Sequence, residues 1–351
     1  MSWVTAIARA DIRGLQAYQH AVWDPGLVRL HANELPFRAP ADTSTAGLNR
    51  YPEPHPHELA ARLAQLYRVS TDSVLACRGS DEAIDLLTRS YVQAGRDAVL
   101  ITPPTFGMYS AAARVQGAAL IEVPLRRDSG YGLDLPALLA AMTAQVKLVF
   151  LCSPNNPTGN RLDRAKVLEL ASALAGRALL VIDEAYVEFD AAPSLAAELA
   201  DQPGLAVLRT LSKAYGLAGA RCGALLANPD VIALLRRVIQ PYAVTQLTIE
   251  AVFRTLSPDH VAAARTQVAA VIGERQRLSA ALIAHRSVLR VWPSAANFLL
   301  VEFADPADVL ERTHAAGLLL RDLRSAPTLG QALRISIGTA AENDRLVASL
   351  P

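Results

Sequence analysis

The sequence is poor in cysteine, carries almost no net charge and has no long apolar run. Cys77, Cys152 and Cys222 are an odd number without metal-ligand spacing, and each lies in or beside an apolar segment. This argues against a disulfide framework and predicts buried free thiols in a reducing compartment. Lysine and arginine total 34 and aspartate and glutamate 33, leaving +1. No global field therefore favours nucleic acid or an anionic membrane as a partner. No apolar run is long enough to span a bilayer, and Arg9 and Asp11 interrupt MSWVTAIARADIR where a secretory leader would be apolar. A cytoplasmic protein is expected. His55 and His57 fall in the proline-rich YPEPHPHE, which reads as a solvated loop rather than a metal pair, so no metal is expected. No internal repeat or low-complexity tract is visible.

What is present is a chain of 351 residues, 52% hydrophobic, enough for one large core and a smaller second one. From Val74 a rhythm sets in. VLACRG, AVLITPP, LIEVPL, KLVFLCSP, ALLVIDEAY and AVLRTLSK read as strands, with amphipathic helical stretches between the first five. Short runs of Val, Ile and Leu alternating with helices predict a mostly parallel sheet buried on both faces, an α/β unit over 74–227. Beyond it, PDVIALLRRVIQ reads as a helix with Pro229 in its first turn, and 244–286 as long helices broken near 257–260. LRVWPSAANFLLVEF, GLLLRDL and ALRISIG, with helices after Pro306 and over 341–349, predict a small α+β unit of three strands and two helices. The expected organisation is an arm over 1–45 joining the small domain, a large domain over 46–245 and a small domain over 246–351.

The stretch LRTLSKAYGLAGARCG, 208–223, carries the chemistry most plainly. Lys213, the only lysine after Lys166, follows an apolar strand and stands among Thr210, Ser212, three glycines and Arg221. An amine so placed can be desolvated and freed to react with carbonyls, with an anion held nearby. A solvated, inert lysine is the ordinary alternative. Other polar residues gather at strand ends, where open α/β sheets bind ligands. Ser80, Asp81 and Glu82 open a helix whose amides favour a phosphate. Thr105 and Phe106, Asn156, then Asp183 and Tyr186 follow successive strands. Each has an ordinary reading as a cap, turn or packing residue. Their recurrence at successive strand ends is what the ordinary reading leaves unexplained. Together they match the needs of pyridoxal 5′-phosphate: an amine for its aldehyde, a carboxylate for its ring nitrogen, an amide and a phenol for its phenolic oxygen, an anion cradle and an aromatic face.

SPNNPTGN, VIDEAYVEF and RTLSKAYGLAGARCG resemble the motifs of fold-type I pyridoxal-phosphate aminotransferases. With RYPEP, RGSDEAIDLL, PPTFGMYS and LRISIGT, the chain more narrowly resembles the histidinol-phosphate aminotransferase family of histidine biosynthesis, from Tyr18 to the last helix. The resemblance implies a seven-stranded, mostly parallel sheet in a large domain, plus a small α+β domain. It implies transamination between L-histidinol phosphate and 2-oxoglutarate in a homodimer. Lys213 would be the Schiff-base lysine and proton shuttle, with Asp183 on the pyridine nitrogen. Asn156 and Tyr186 would hold the phenolic oxygen. Ser212, Arg221 and the amides of Ser80, Asp81 and Glu82 would take the phosphate, and Tyr51 would reach the phosphate of the neighbouring subunit. Phe106 would stack on the ring. Arg334 would grip the anionic tail of either substrate, Arg321 and Tyr18 would add contacts to the substrate phosphate, and Asn33 and Asn156 would also bind substrate. The sequence departs from the family pattern at Phe106, often tyrosine, and in HANELP, where His31 and Leu35 replace asparagine and an aromatic. Two other activities on the same scaffold stay open: an aromatic amino-acid aminotransferase and a phosphothreonine-type decarboxylase. A non-catalytic protein retaining the fold would have no use for both Lys213 and Asp183.

Overall fold

The computed structural model describes residues 2–20, 22–24, 26–326 and 328–351. Two short helices, α1 (Trp3–Ala6) and α2 (Ala10–Arg13), precede an extended arm and then α3 (His57–Tyr67). The large sheet is built from β1 (Val74–Cys77), α4 (Ser80–Tyr91), β2 (Ala98–Ile101), α5 (Met108–Gln116), β3 (Ala119–Glu122), α6 (Leu135–Ala140) and β4 (Val146–Cys152). It continues through α7 (Arg164–Ala173), β5 (Leu179–Asp183), β6 (Leu205–Thr210) and β7 (Gly223–Ala227). Its seven strands run in the order β1-β7-β6-β5-β4-β2-β3. Strands β2 to β6 are mutually parallel, and β7 is antiparallel to both β6 and β1.

The apolar runs predict burial on both faces, and the side chains divide accordingly. In β5, Leu180 and Ile182 enter one core cluster, with Leu63 of α3 and Leu170 of α7. Leu179 and Val181 enter the other, with Ile84 of α4 and Tyr109 of α5. The period of two along the strand thus feeds two separate cores. Each such Leu, Ile or Val contributes roughly 1.5–3 kcal/mol.

The chain then forms α8 (Pro229–Leu235), α9 (Gln246–Thr255) and the 26-residue α10 (Pro258–Ile283). Pro258 opens α10 in its first turn, where the missing N–H costs nothing. A second sheet follows, from β8 (Val288–Val291), β9 (Phe298–Phe303), α11 (Pro306–Ala315), β10 (Arg321–Asp322), β11 (Ala332–Ser336) and α12 (Ala340–Ser349). Its order is β10-β11-β9-β8, antiparallel throughout. Leu278 and Leu282 of α10 pack under it with Val309 and Leu346. Farther up the same helix Arg275 donates to the Phe189 and Ala296 carbonyls, linking the two sheets' surroundings.

Three expectations change. The small sheet has four strands, not three, because LRVWPSAANFLLVEF is not one strand: Pro293 cannot continue the ladder, and Ser294 turns the chain into a hairpin. The helix from Pro229 ends at Leu235, and the two arginines beyond it donate to carbonyls of Val74 and Arg13. The start of the arm lies on the large unit, not the small one. Val4 and Ala8 are buried in the core containing α4 and α8, and the Trp3 ring fills the space beside Gly204, where a Cβ would come within 2.4 Å of it. All three cysteines are free and buried. Among the described residues no helix is long and apolar enough to cross a membrane, and no cluster of His, Cys, Asp or Glu could hold a metal.

Candidate active site

The carboxyl ends of β1, β2, β4, β5 and β6 surround a cavity of about 490 Å³, closed on its far side by β10 and β11 of the small sheet. Strand register sets the placement. Cys152 at the end of β4 pairs with Asp183 at the end of β5, which pairs with Leu208 of β6. Five residues past Leu208 the chain, turned by the Ser212 N–H donating to Thr210 Oγ1, presents Lys213. The cavity brings together Lys213, Asp183, Asn156, Tyr186, Phe106 and Ser212, with Ser80, Asp81 and Arg221 at one end and Arg321 and Arg334 at the other.

Lys213 is open to the cavity, and its Nζ lies 5.6 Å from the centre of the Tyr186 ring. Burial, then the Arg334 charge, lower its pKa, while Asp183 opposes the shift. Among the described residues nothing hydrogen-bonds or ion-pairs with this Nζ. Asp183 is 2% exposed. It accepts hydrogen bonds from the Tyr109 hydroxyl at 2.8 Å and the Ala185 N–H at 3.0 Å, yet among the described residues it has no ion pair. Burial raises its pKa to about 6, and the Tyr109 bond works against that rise. Asn156 donates to the Tyr186 hydroxyl at 3.3 Å and accepts from Arg334 Nη1.

At the other end Gly79 holds a left-handed φ of +80°, and α4 begins at Ser80. Gly223 lets β7 press against that turn: a Cβ there would lie 2.7 Å from the Gly79 carbonyl carbon and 2.9 Å from Ser80 N. Arg221, itself at φ 54°, donates to Ser212 Oγ and pairs with Asp81, both at 3.2 Å. Helix-start amides, a hydroxyl and a guanidinium converge there, a set suited to a phosphate.

Glu82 does not line the cavity. Its carboxylate turns back to the Arg78 amide at 2.6 Å and guanidinium at 2.8 Å. Three expected site residues also lie elsewhere in this single chain. Tyr18 is exposed beside His20, His55 and Arg237 in a separate hollow. Asn33 is exposed with φ 57°. Tyr51 is half-exposed and stacks on Tyr242, ring centres 4.7 Å apart. Two residues escaped the sequence reading. Tyr109 stacks flat on Phe150 and donates to Asp183; its only signal is the three-residue spacing from Phe106, which lies just before α5 and accepts the Tyr109 N–H. Asn155 joins the loop bearing Phe106 to the loop bearing Asn156 through Thr105 and the Pro104 carbonyl.

These residues fit pyridoxal 5′-phosphate. A buried carboxylate without a cation suits a protonated ring nitrogen, the uncommitted lysine suits an aldehyde, and the Gly223 cradle would be spoiled by any side chain. The family profile described as aminotransferase class I and II matches residues 27–350. The chain belongs to this family. This aminotransferase is 49% identical to histidinol-phosphate aminotransferase of Stenotrophomonas maltophilia over 351 residues, 99% of its own length and 96% of the relative's. Its fold is similar to the histidinol-phosphate aminotransferase of Sinorhizobium meliloti solved with pyridoxal-5′-phosphate, at TM-score 0.78 and 29% identity, over 86% of this chain and 82% of that one. It is also similar to L-threonine-O-3-phosphate decarboxylase from Porphyromonas gingivalis, at TM-score 0.73 and 26% identity, over 86% and 90% of the two chains.

Proposed function

We propose that this aminotransferase interconverts L-histidinol phosphate and 2-oxoglutarate with imidazole acetol phosphate and L-glutamate, in histidine biosynthesis in the cytoplasm. The observation that carries the reading is the pairing of Arg321 with Arg334 across β10 and β11, both guanidiniums lining the cavity that holds Lys213. Two adjacent cations can satisfy a substrate phosphate, and one suffices for the tail carboxylate of glutamate.

When bound, pyridoxal 5′-phosphate supplies a carbonyl for amines and a ring that accepts the electron pair left on the substrate Cα. Ser80 and Asp81 amides, Ser212 and Arg221 would hold its phosphate. Asp183 would keep a proton on the ring nitrogen, with Tyr109 orienting Asp183. Asn156 and Tyr186 would donate to the phenolic oxygen, and Phe106 would cover the ring. Lys213, its pKa lowered by burial and the Arg334 charge, would be the amine that holds the cofactor and the group that moves the proton at the substrate Cα. The large domain, 46–245, does the chemistry, and 246–351 supplies the anion grip.

The active form in this reading is a homodimer. Leu27, Val28, Leu30, Leu35 and Phe37 are all exposed in the arm, an apolar surface that a second copy would cover. Tyr51, outside its own cavity, would reach the neighbour's phosphate. The deciding experiment mixes holoenzyme with L-histidinol phosphate, glutamate, phenylalanine or phosphothreonine in single turnovers, with products identified. Fast formation of imidazole acetol phosphate from the first and of 2-oxoglutarate from the second is expected. Preference for phenylalanine would replace this reading by an aromatic aminotransferase, and loss of CO₂ from phosphothreonine by a decarboxylase.

A further inference from the structure

The arm exposes its apolar side chains yet is tied down by a polar knot centred on Glu34. The Glu34 side chain is 2% exposed, although most of the neighbouring apolar side chains are open to solvent. Its Oε1 accepts the Tyr51 N–H at 2.7 Å and pairs with Arg29 at 3.2 Å, and its Oε2 accepts from Arg50 at 2.9 Å. Arg29 in turn donates to the Tyr51 carbonyl at 3.1 Å while its guanidinium lies over the Trp23 ring. Both peptide groups of Tyr51 are therefore pinned. Its side chain is held independently, by the offset stack on Tyr242. Tyr242 has a φ of 62°, a backbone conformation that disfavours a residue with a bulky side chain and that persists where the surroundings enforce it. Its N–H donates to the Pro54 carbonyl at 3.4 Å, so the loop from 51 to 54 and the Tyr242 turn are joined at two points. Nothing in the cavity around Lys213 uses this assembly. A fixed phenol on an exposed, apolar arm is prepared for something outside its own chain.

We infer that Glu34, Arg29 and Tyr242 are positioning residues that hold the Tyr51 hydroxyl in place for the cofactor phosphate of a second copy of this chain. The inference rests on the shared-site reading above. The arm does not have to order itself when the cofactor binds, so the entropy of fixing Tyr51 is met on folding. Gln at position 34 keeps the shape but loses the charge that holds two arginines and an amide. Ala at position 242 removes the stack, and Phe keeps it.

The test measures pyridoxal 5′-phosphate affinity of the dimeric apoprotein, with dimerisation monitored by sedimentation. Tyr51→Phe is expected to weaken affinity roughly ten- to a hundredfold, the range for one hydrogen bond to a charged group. Glu34→Gln and Tyr242→Ala are expected to weaken it by a similar factor, Tyr242→Phe to leave it unchanged, and Glu34→Gln combined with Tyr51→Phe to be no worse than Tyr51→Phe. If Tyr51→Phe alone changes nothing, the shared site falls and the clamp with it. If Tyr51→Phe weakens affinity but Glu34→Gln and Tyr242→Ala do not, only the clamp is overturned. Additive losses in the double variant would overturn it too, because Glu34 would then act by another route. Should Glu34→Gln fail to fold, the contrast between Tyr242→Ala and Tyr242→Phe decides.

Discussion

Asp183 shows how one buried residue ties stability to chemistry. Its pKa of about 6 exceeds that of an unfolded aspartate, so between about pH 4 and 6 the folded apoprotein binds more protons than the unfolded chain. Stability from this group is therefore greatest at low pH and falls as pH rises through 6. Asp183→Asn removes the cost of the buried charge. The amide can accept from the Ala185 N–H and donate to the Tyr109 oxygen, because a phenol does both. The apoprotein carrying it should melt higher than wild type at pH 8, by an amount on the order of 1–3 kcal/mol, with the gain gone below about pH 4. An unchanged difference across that range in thermal melts would show that Asp183 is not the group titrating. With cofactor bound the order reverses for catalysis: the asparagine cannot hold the ring proton, and turnover should collapse although cofactor still binds. Lys213→Ala should leave the fold intact, since among the described residues its Nζ makes no hydrogen bond or ion pair, only a distant approach to the Tyr186 ring. It should lose at least the roughly 10²–10⁴-fold a positioned proton carrier contributes. A variant retaining a tenth of wild-type turnover would disprove the role.

Among the elements, the Gly79–Ser80 turn and β7 meet so closely that Gly223 has no room for a Cβ. Gly223→Ala should force the two backbones apart and weaken cofactor binding by more than about tenfold, whereas Gly219→Ala, with nothing within 4 Å, should not. Equal affinities by titration of the two apoproteins would remove the cradle from the argument. In the proposed reading, the strands β10 and β11 set substrate choice. Arg334→Met should slow both half-reactions, since leaving a desolvated anion unpaired costs about 2–5 kcal/mol. Arg321→Met should hurt histidinol phosphate more than glutamate, and phenylalanine little. Equal losses for all three donors in single turnovers would make Arg321 structural. Much of this was legible in advance. Alternating apolar runs announced the strands, and polar residues just past each run announced Lys213, Asp183 and Asn156, because a sheet's carboxyl edge collects whatever follows its strands. Tyr109 was not legible, since it acts from a helix turn on a residue 74 positions away and looks like core packing. Nor was the resting place of Trp3 against Gly204, a contact across 201 positions that no local pattern encodes.

For the whole molecule, the arm and the two sheets divide the labour. Mixing a Tyr51→Ala subunit with a Lys213→Ala subunit should restore about one working site per heterodimer, because both lesions then fall on the same site. No recovery despite proven exchange and a defective Tyr51→Ala parent would place Tyr51 in its own site. The grip proposed for the substrate tail lies on a different sheet from the one that presents Lys213, and it would depend on a two-residue strand, Arg321–Asp322, paired to β11. Side chains on a strand alternate sides, so inserting or deleting a single residue before β11 would turn Arg321 away from the cavity and leave Lys213 and Asp183 where they are. Reactivity and selectivity are thus inherited on separate pieces of the chain. On that reading, a small change of length between 318 and 331 is expected to alter the choice of amino donor while turnover of other donors persists.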